Sequence, residues 1–241
     1  MEAMDWGALR ANLLPGLAVN LLLALAALAA HSVSLSGFLG GLLVGIPIYL
    51  CLGWRGFVVL AGMFAIGTLL TRLGYSRKEA MGVAEAKKGA RGASHAFANS
   101  GVSALAALAL WATGAPLWGV AFVAALATAA MDTAGSEVGP LWGKRTISLK
   151  TLRPVPPGTE GAISAEGTLA GLAVALMLGA LGLWMGLLPG PAALLAVLVG
   201  AWIGNLYEGL LGSRRLLPHA WLNATNTLVG GLAAAALSLL G

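Results

Sequence analysis

Charge is what this chain has least of. Asp, Glu, Lys and Arg make up 10% of its 241 residues, where soluble domains carry about 25%. Hydrophobic residues make up 59%, and mean hydropathy is +0.87. An ordinary soluble domain is excluded, and an integral membrane protein follows. Cysteine is nearly missing as well. Cys51 stands alone in an apolar run, so no intrachain disulfide can form and the residue reads as a small buried hydrophobe. The histidines His31, His95 and His219 are scattered without metal-ligand spacing, which argues against a zinc site.

Long apolar runs are what the chain has instead. Runs near the ~20-residue length that crosses a bilayer fall at 13–30, 34–52, 54–74, 99–114, 116–134, 164–187, 191–211 and 223–240. They predict an all-α integral membrane protein, a single transmembrane domain over 1–241 built as a bundle of seven to eight transmembrane helices. The 35 glycines and the many alanines within these runs fit helices that associate by close backbone approach. The first run ends in Leu28-Ala-Ala30, loosely like a signal-peptidase site. Glu2 and Asp5 offset Arg10 ahead of it, however, so it is read as a first membrane helix.

Twelve of the 14 basic residues fall in three connections, Arg72 to Arg91, Lys144 to Arg153, and Arg214 with Arg215. These connections are expected on the cytoplasmic side of the inner membrane, with both termini outside. Topology thus accounts for the net charge of +5, and no nucleic acid is expected as a partner. A faint parallel repeat runs beneath this pattern. Ser34-Leu-Ser-Gly37-Phe-Leu-Gly-Gly-Leu42 matches Ser164-Ala-Glu-Gly167-Thr-Leu-Ala-Gly-Leu172, and Gly67-Thr-Leu with Arg77-Lys78 matches Gly204-Asn-Leu with Arg214-Arg215.

Four polar segments interrupt the apolar background, all at the basic face. In the first, Lys87, Lys88 and Arg91 lead to His95 and Asn99; lysine and arginine suit phosphate oxygens. In the second, Asp132 and Ser136 stand one helical turn apart with Glu137 just beyond. Carboxylates at a bilayer need a job or a partner, and Mg²⁺ commonly takes one or two of them together with substrate phosphate oxygens. In the third, Pro157-Gly158-Thr159-Glu160-Gly161 runs to Ser164 and Thr168, a loop of backbone N–H groups ahead of a helix that Ser164 can cap. It is not a Walker A sequence. The fourth pairs Glu208 with Asn223 and Asn226, amides that touch substrate or only bond a neighbouring helix.

Together these segments resemble a family of polytopic membrane proteins that includes the plant chloroplast phytyl-phosphate kinase. The resemblance runs from about Ser34 to Gly231. It rests on Leu70-Thr-Arg-Leu-Gly74, Lys87-Lys-Gly-Ala-Arg91 with Asn99, Asp132-Thr with Ser136-Glu137 and Gly139, Pro157-Gly-Thr with Gly161, Ser164 and Gly167-Thr168, and the Gly204, Glu208, Gly212 helix. His95 stands where the family usually has Gln, and Glu208-Gly209 where it has Asp-Ser.

The resemblance implies phosphoryl transfer from a nucleoside triphosphate, CTP being favoured, to a prenyl monophosphate such as phytyl or geranylgeranyl phosphate. Residues and resemblance together give one expected mechanism. Asp132, Glu137, Lys88 and Arg91 are the catalytic set, and Asp132, Glu137 and Glu208 hold Mg²⁺. Lys87, Lys88, Arg91, Gly158, Thr159, Gly161, Ser164 and Thr168 bind nucleotide or phosphate, while Asn99, Ser136, Asn223 and Asn226 contact substrate. The competing readings are a CTP-dependent lipid-alcohol kinase or cytidylyltransferase and, from another class, a transporter of an anionic metabolite.

Overall fold

The computed structural model describes residues 4–85, 89–212, 214 and 217–240. Lys87, Lys88 and Arg215 lie outside the described residues. The chain runs α1 (Trp6–Ala29), α2 (Leu35–Arg72), α3 (Tyr75–Ala80), α4 (Ala93–Thr113), α5 (Leu117–Trp142), β1 (Thr146–Ser148), β2 (Ala162–Ser164), α6 (Ala165–Trp184), α7 (Pro191–Gly212) and α8 (His219–Leu237). Among the described residues, six helices are long and apolar enough to cross a membrane. One of them is two passes: α2 breaks at Gly53, whose φ of 62° and ψ of −159° reverse the chain. Counting α2 twice gives seven candidate passes, and α8 packs against them as a further helix, in line with the seven to eight helices that the apolar runs predict.

The ends of the helices differ from the runs because capping groups, not hydropathy, set them. Helix α1 starts at Trp6, where the Asp5 carboxylate accepts from the Ala8 N–H, seven residues before the apolar run. Helix α5 continues past Asp132 to Trp142, so the acidic segment is helical throughout. No apolar period marks α3, nor the small hairpin in which Thr146 of β1 pairs with Ser164 of β2. Three-residue strands are too short to show a period.

Helix α5 is the axis of the bundle. Of its apolar window 78% is buried, against 11% for the peripheral α1. Glycines let α6 approach it closely, since a Cβ on Gly167 would stand 2.9 Å from the Gly135 carbonyl oxygen and one on Gly171 2.9 Å from that of Met131.

The two halves repeat. Counting α2 as two passes, α1, both arms of α2 and α4 alternate in direction as α5, α6, α7 and α8 do. Ser34 caps α2 by accepting from the Gly37 N–H at 3.2 Å, and Ser164 caps α6 by accepting from Gly167 at 3.1 Å. A third match becomes visible once α4 and α8 lie side by side, His95-Ala-Phe-Ala-Asn99 against His219-Ala-Trp-Leu-Asn223. The two asparagines meet, with Asn223 Nδ2 3.4 Å from Asn99 Oδ1.

The halves pack differently at one matched position. Gly41 corresponds to Gly171, yet a Cβ on Gly41 would find nothing within 4 Å. Gly171→Ala should therefore lower stability in detergent by about 1–3 kcal/mol through overpacking, while Gly41→Ala stays within about 0.5 kcal/mol of the unaltered protein. Thermal or denaturant unfolding of both variants checks the contrast.

Candidate functional site

A cavity of about 540 Å³ opens at the basic end of the second half, between α4, α5, α6, α7 and α8. The connections that follow α3 and α5 both reach it, so segments distant in sequence share one wall. Arg91, Asn99, Asp132, Ser136, Glu137, Gly158, Thr159, Gly161, Ser164, Thr168, Glu208 and Asn223 line it. Asn226 does not.

The floor is acidic. Asp132 on α5 and Glu208 on α7 are half-buried and lie within hydrogen-bonding contact of one another. Asn226, 1% exposed, donates from Nδ2 to Glu208 Oε2 at 2.7 Å. It therefore holds the Glu208 carboxylate in place from outside the cavity lining. Asn205 donates to the carbonyls of Thr128 at 3.2 Å and Ala201 at 3.0 Å, tying α7 to α5 just below.

Glu137 is placed differently from the expected metal set. At 8% exposure it forms an ion pair with Lys78 of α3, whose side chain is fully buried. Lys78 Nζ also donates to the carbonyls of Leu70 at 3.1 Å and Thr71 at 2.9 Å. Those carbonyls lie in the last turn of α2, where fewer backbone N–H groups remain to satisfy them. All three ammonium donors are thus engaged, and the pair locks α2, α3 and α5 together. The physical reason is helical phase, because five residues turn a helix about 140° beyond a full turn. Asp132 and Glu137 consequently face different neighbours.

The basic side of the cavity rests on Arg91. Its backbone is held by the turn between α1 and α2, donating to the Ser32 carbonyl and accepting from the Ser34 N–H, both at 3.0 Å. Its guanidinium lies on the face of Gly67 and reaches Thr71 Oγ1 at 3.4 Å. Burial draws its pKa down, opposed by Glu85, Glu137 and Asp132; an arginine so far above neutrality remains charged. Beside it His95 Nε2 stands 3.0 Å from Glu85 Oε1, and that hydrogen bond holds the Glu85 carboxyl below its ordinary range.

The hairpin loop closes the cavity from above. Gly158 has φ of 81°, and a Cβ there would strike Val83, so only glycine permits this loop to lie on the α3–α4 connection. Ser164 Oγ is occupied as the α6 cap, leaving the first backbone N–H groups of α6 near the cavity. Thr159 Oγ1 donates to the Pro156 carbonyl at 2.7 Å. Two buried acceptors beside the cavity, Asn223 Oδ1 and Asn226 Oδ1, have no partner among the described residues.

The arrangement combines facing carboxylates, an arginine and a glycine-bearing loop at one end of a membrane bundle, the pattern that the sequence segments anticipate. The family signature described as integral membrane protein DUF92 matches residues 18–215. The chain belongs to this family. It is 39% identical over 217 residues to the uncharacterized membrane protein sll0875 of Synechocystis, covering 88% of this chain and 83% of that one. It is 37% identical over 191 residues to the chloroplastic protein VTE6 of Arabidopsis thaliana, covering 77% of this chain and 57% of VTE6. It is 32% identical over 203 residues to the uncharacterized membrane protein MJ0933 of Methanocaldococcus jannaschii, covering 81% and 82%. No solved structure matches.

Two cavity features of this DUF92 chain escape a reading of its sequence. Lys78 looks like one more positive charge at the basic face, and only its contact with Glu137 across 59 positions reveals the lock. His219 lines the cavity opposite His95, and the short match between α4 and α8 was the available signal. The lock gives a measurable expectation. Lys78→Met leaves Glu137 buried without its cation and should lower stability by about 3–5 kcal/mol. Adding Glu137→Leu should recover part of that loss, so that a double-mutant cycle read by unfolding in detergent shows coupling.

Proposed function

We propose that this protein is a membrane phosphotransferase that converts a prenyl monophosphate, such as phytyl or geranylgeranyl phosphate, to the diphosphate. A nucleoside triphosphate, with CTP favoured, is the donor. The facing Asp132 and Glu208 carboxylates beside Arg91 carry this reading. Two carboxylates in contact need a shared proton or a cation, and oxygen-only ligands completed by phosphates suit Mg²⁺. Among the described residues no cluster of three or more His, Cys, Asp and Glu side chains could hold a metal. A site of two acids plus substrate oxygens fits that ion better than it fits zinc.

Asp132 and Glu208 would hold Mg²⁺, which would supply charge neutralisation for the phosphate oxygens. The residues do the rest. Arg91 binds and orients phosphate oxygens as a planar fork, Asn226 fixes Glu208, and the loop at Gly158 to Gly161 with the α6 N-terminus offers N–H groups to the nucleotide phosphates. An oxygen of the acceptor phosphate attacks the γ-phosphorus, the bond from that phosphorus to its bridging oxygen breaks, and the nucleoside diphosphate leaves. An acceptor that is already an anion needs little base catalysis, so positioning and electrostatics suffice. Resemblance to the plant phytyl-phosphate kinase family supports the choice of acceptor.

Purified protein given labelled CTP and geranylgeranyl phosphate should form the diphosphate, lose activity in EDTA and regain it with Mg²⁺. Asp132→Asn should reduce turnover by about 10²-fold or more while the protein still folds. Product from the prenol would instead favour the lipid-alcohol kinase. Uptake of an anionic metabolite into proteoliposomes without nucleotide turnover would favour the transporter.

A further inference from the structure

A second cavity, of about 480 Å³, lies in the first half between α1, α2 and α4. It shares Arg91, His95 and Asn99 with the polar cavity, so α4 is a common wall. Its volume falls in the ~300–1,000 Å³ range of small-molecule sites. Among the described residues no carboxylate lines it, and most of its wall is Leu, Ala, Val, Phe, Met and Gly.

The repeat explains how it arose. In the second half Thr168 and Trp202 line the polar cavity, and the matched positions lining this groove are Phe38 and Ala65. A polar group has become apolar and a bulky one small. Gly171 is packed against Met131 of α5, whereas its counterpart Gly41 faces open space along the groove wall. Helix α1 stands off where α5 fits tightly.

We infer that this groove holds the isoprenoid chain of the acceptor, whose phosphate passes at Arg91, His95 and Asn99 into the acidic cavity. The inference rests on the kinase reading for the identity of the ligand. Charge complementarity fixes the orientation, because Arg91, the groove's one fully charged residue among the described residues, sits at the border with the acids. A lipid monophosphate has the same form, a long apolar tail and one anionic end. Asn99 and His95 flank the arginine as further hydrogen-bonding groups for the phosphate.

The test measures binding without nucleotide, using dimethylallyl, geranyl and geranylgeranyl phosphates on the full protein in detergent. Gly41→Leu fills the groove at a position with free space. Each methylene displaced from an apolar site weakens binding about fourfold, so the C20 phosphate should bind about tenfold or more weakly while the C5 phosphate is unchanged. Leu43→Phe, on the lipid-facing side of the same helix, should alter neither. Equal weakening of all chain lengths, or none, overturns the groove. A C20 phosphate with a terminal diazirine, applied to the unaltered protein, should label residues of α1 or α2. Label confined to other helices also overturns it. Labelling of the groove without phosphorylation by any nucleotide would leave the groove in place and remove the kinase reading. Turnover with label elsewhere would do the reverse.

Discussion

Two carboxylates sharing one space inside a membrane bundle is the constraint around which the second half is built. Asp132 and Glu208 are contributed by helices far apart in sequence, and among the described residues neither forms an ion pair. Like charges brought together out of water repel, and each pays for desolvation unless a proton or a cation joins them. The neighbouring structure opposes their separation. Asn226 bonds Glu208 from behind, Asn205 ties α7 to the α5 backbone, and glycine contacts hold α6 against α5. A bundle that merely tolerated these acids would let them turn apart.

The same scaffold occurs twice, and among the described residues carboxylates line the polar cavity but not the groove of the first half. Matched Ser34 and Ser164 caps and matched His-Asn pairs show that both halves keep the same start to their helices. What differs is the lining. On the loose alignment of α2 with α7, Thr71 stands where Glu208 stands, and Phe38 replaces Thr168. Polar and apolar cavities of similar size then sit on either side of α4, joined at three residues. An amphiphilic molecule requires such a division, because its two ends have opposite solvent preferences.

Much of this was legible in the sequence, and the rest was not for definable reasons. The helical bundle followed from apolar runs, since membrane helices must satisfy every backbone group internally. The acids and the Gly158 to Ser164 loop stood out because polar residues are rare in this chain. Their one-ended clustering followed from the basic connections. Contacts across long separations were hidden. Nothing local to Tyr75–Ala80 marks Lys78 as buried, and the Lys78–Glu137 pair depends on where α3 docks against α5. The hairpin was hidden for another reason, its strands being too short for a period.

Helical phase explains why the neighbouring acids of one segment take different roles. Asp132 and Ser136, four residues apart, share a face of α5 and both reach the cavity. Glu137 starts the adjacent face, and there it meets a lysine whose remaining donors are fixed on α2 carbonyls. A carboxylate held this way has one oxygen committed and its charge already matched. It therefore contributes rigidity to α5, the helix that carries Asp132. The 2.7 Å bond from Asn226 removes part of the rotational freedom that the long Glu208 side chain would otherwise have.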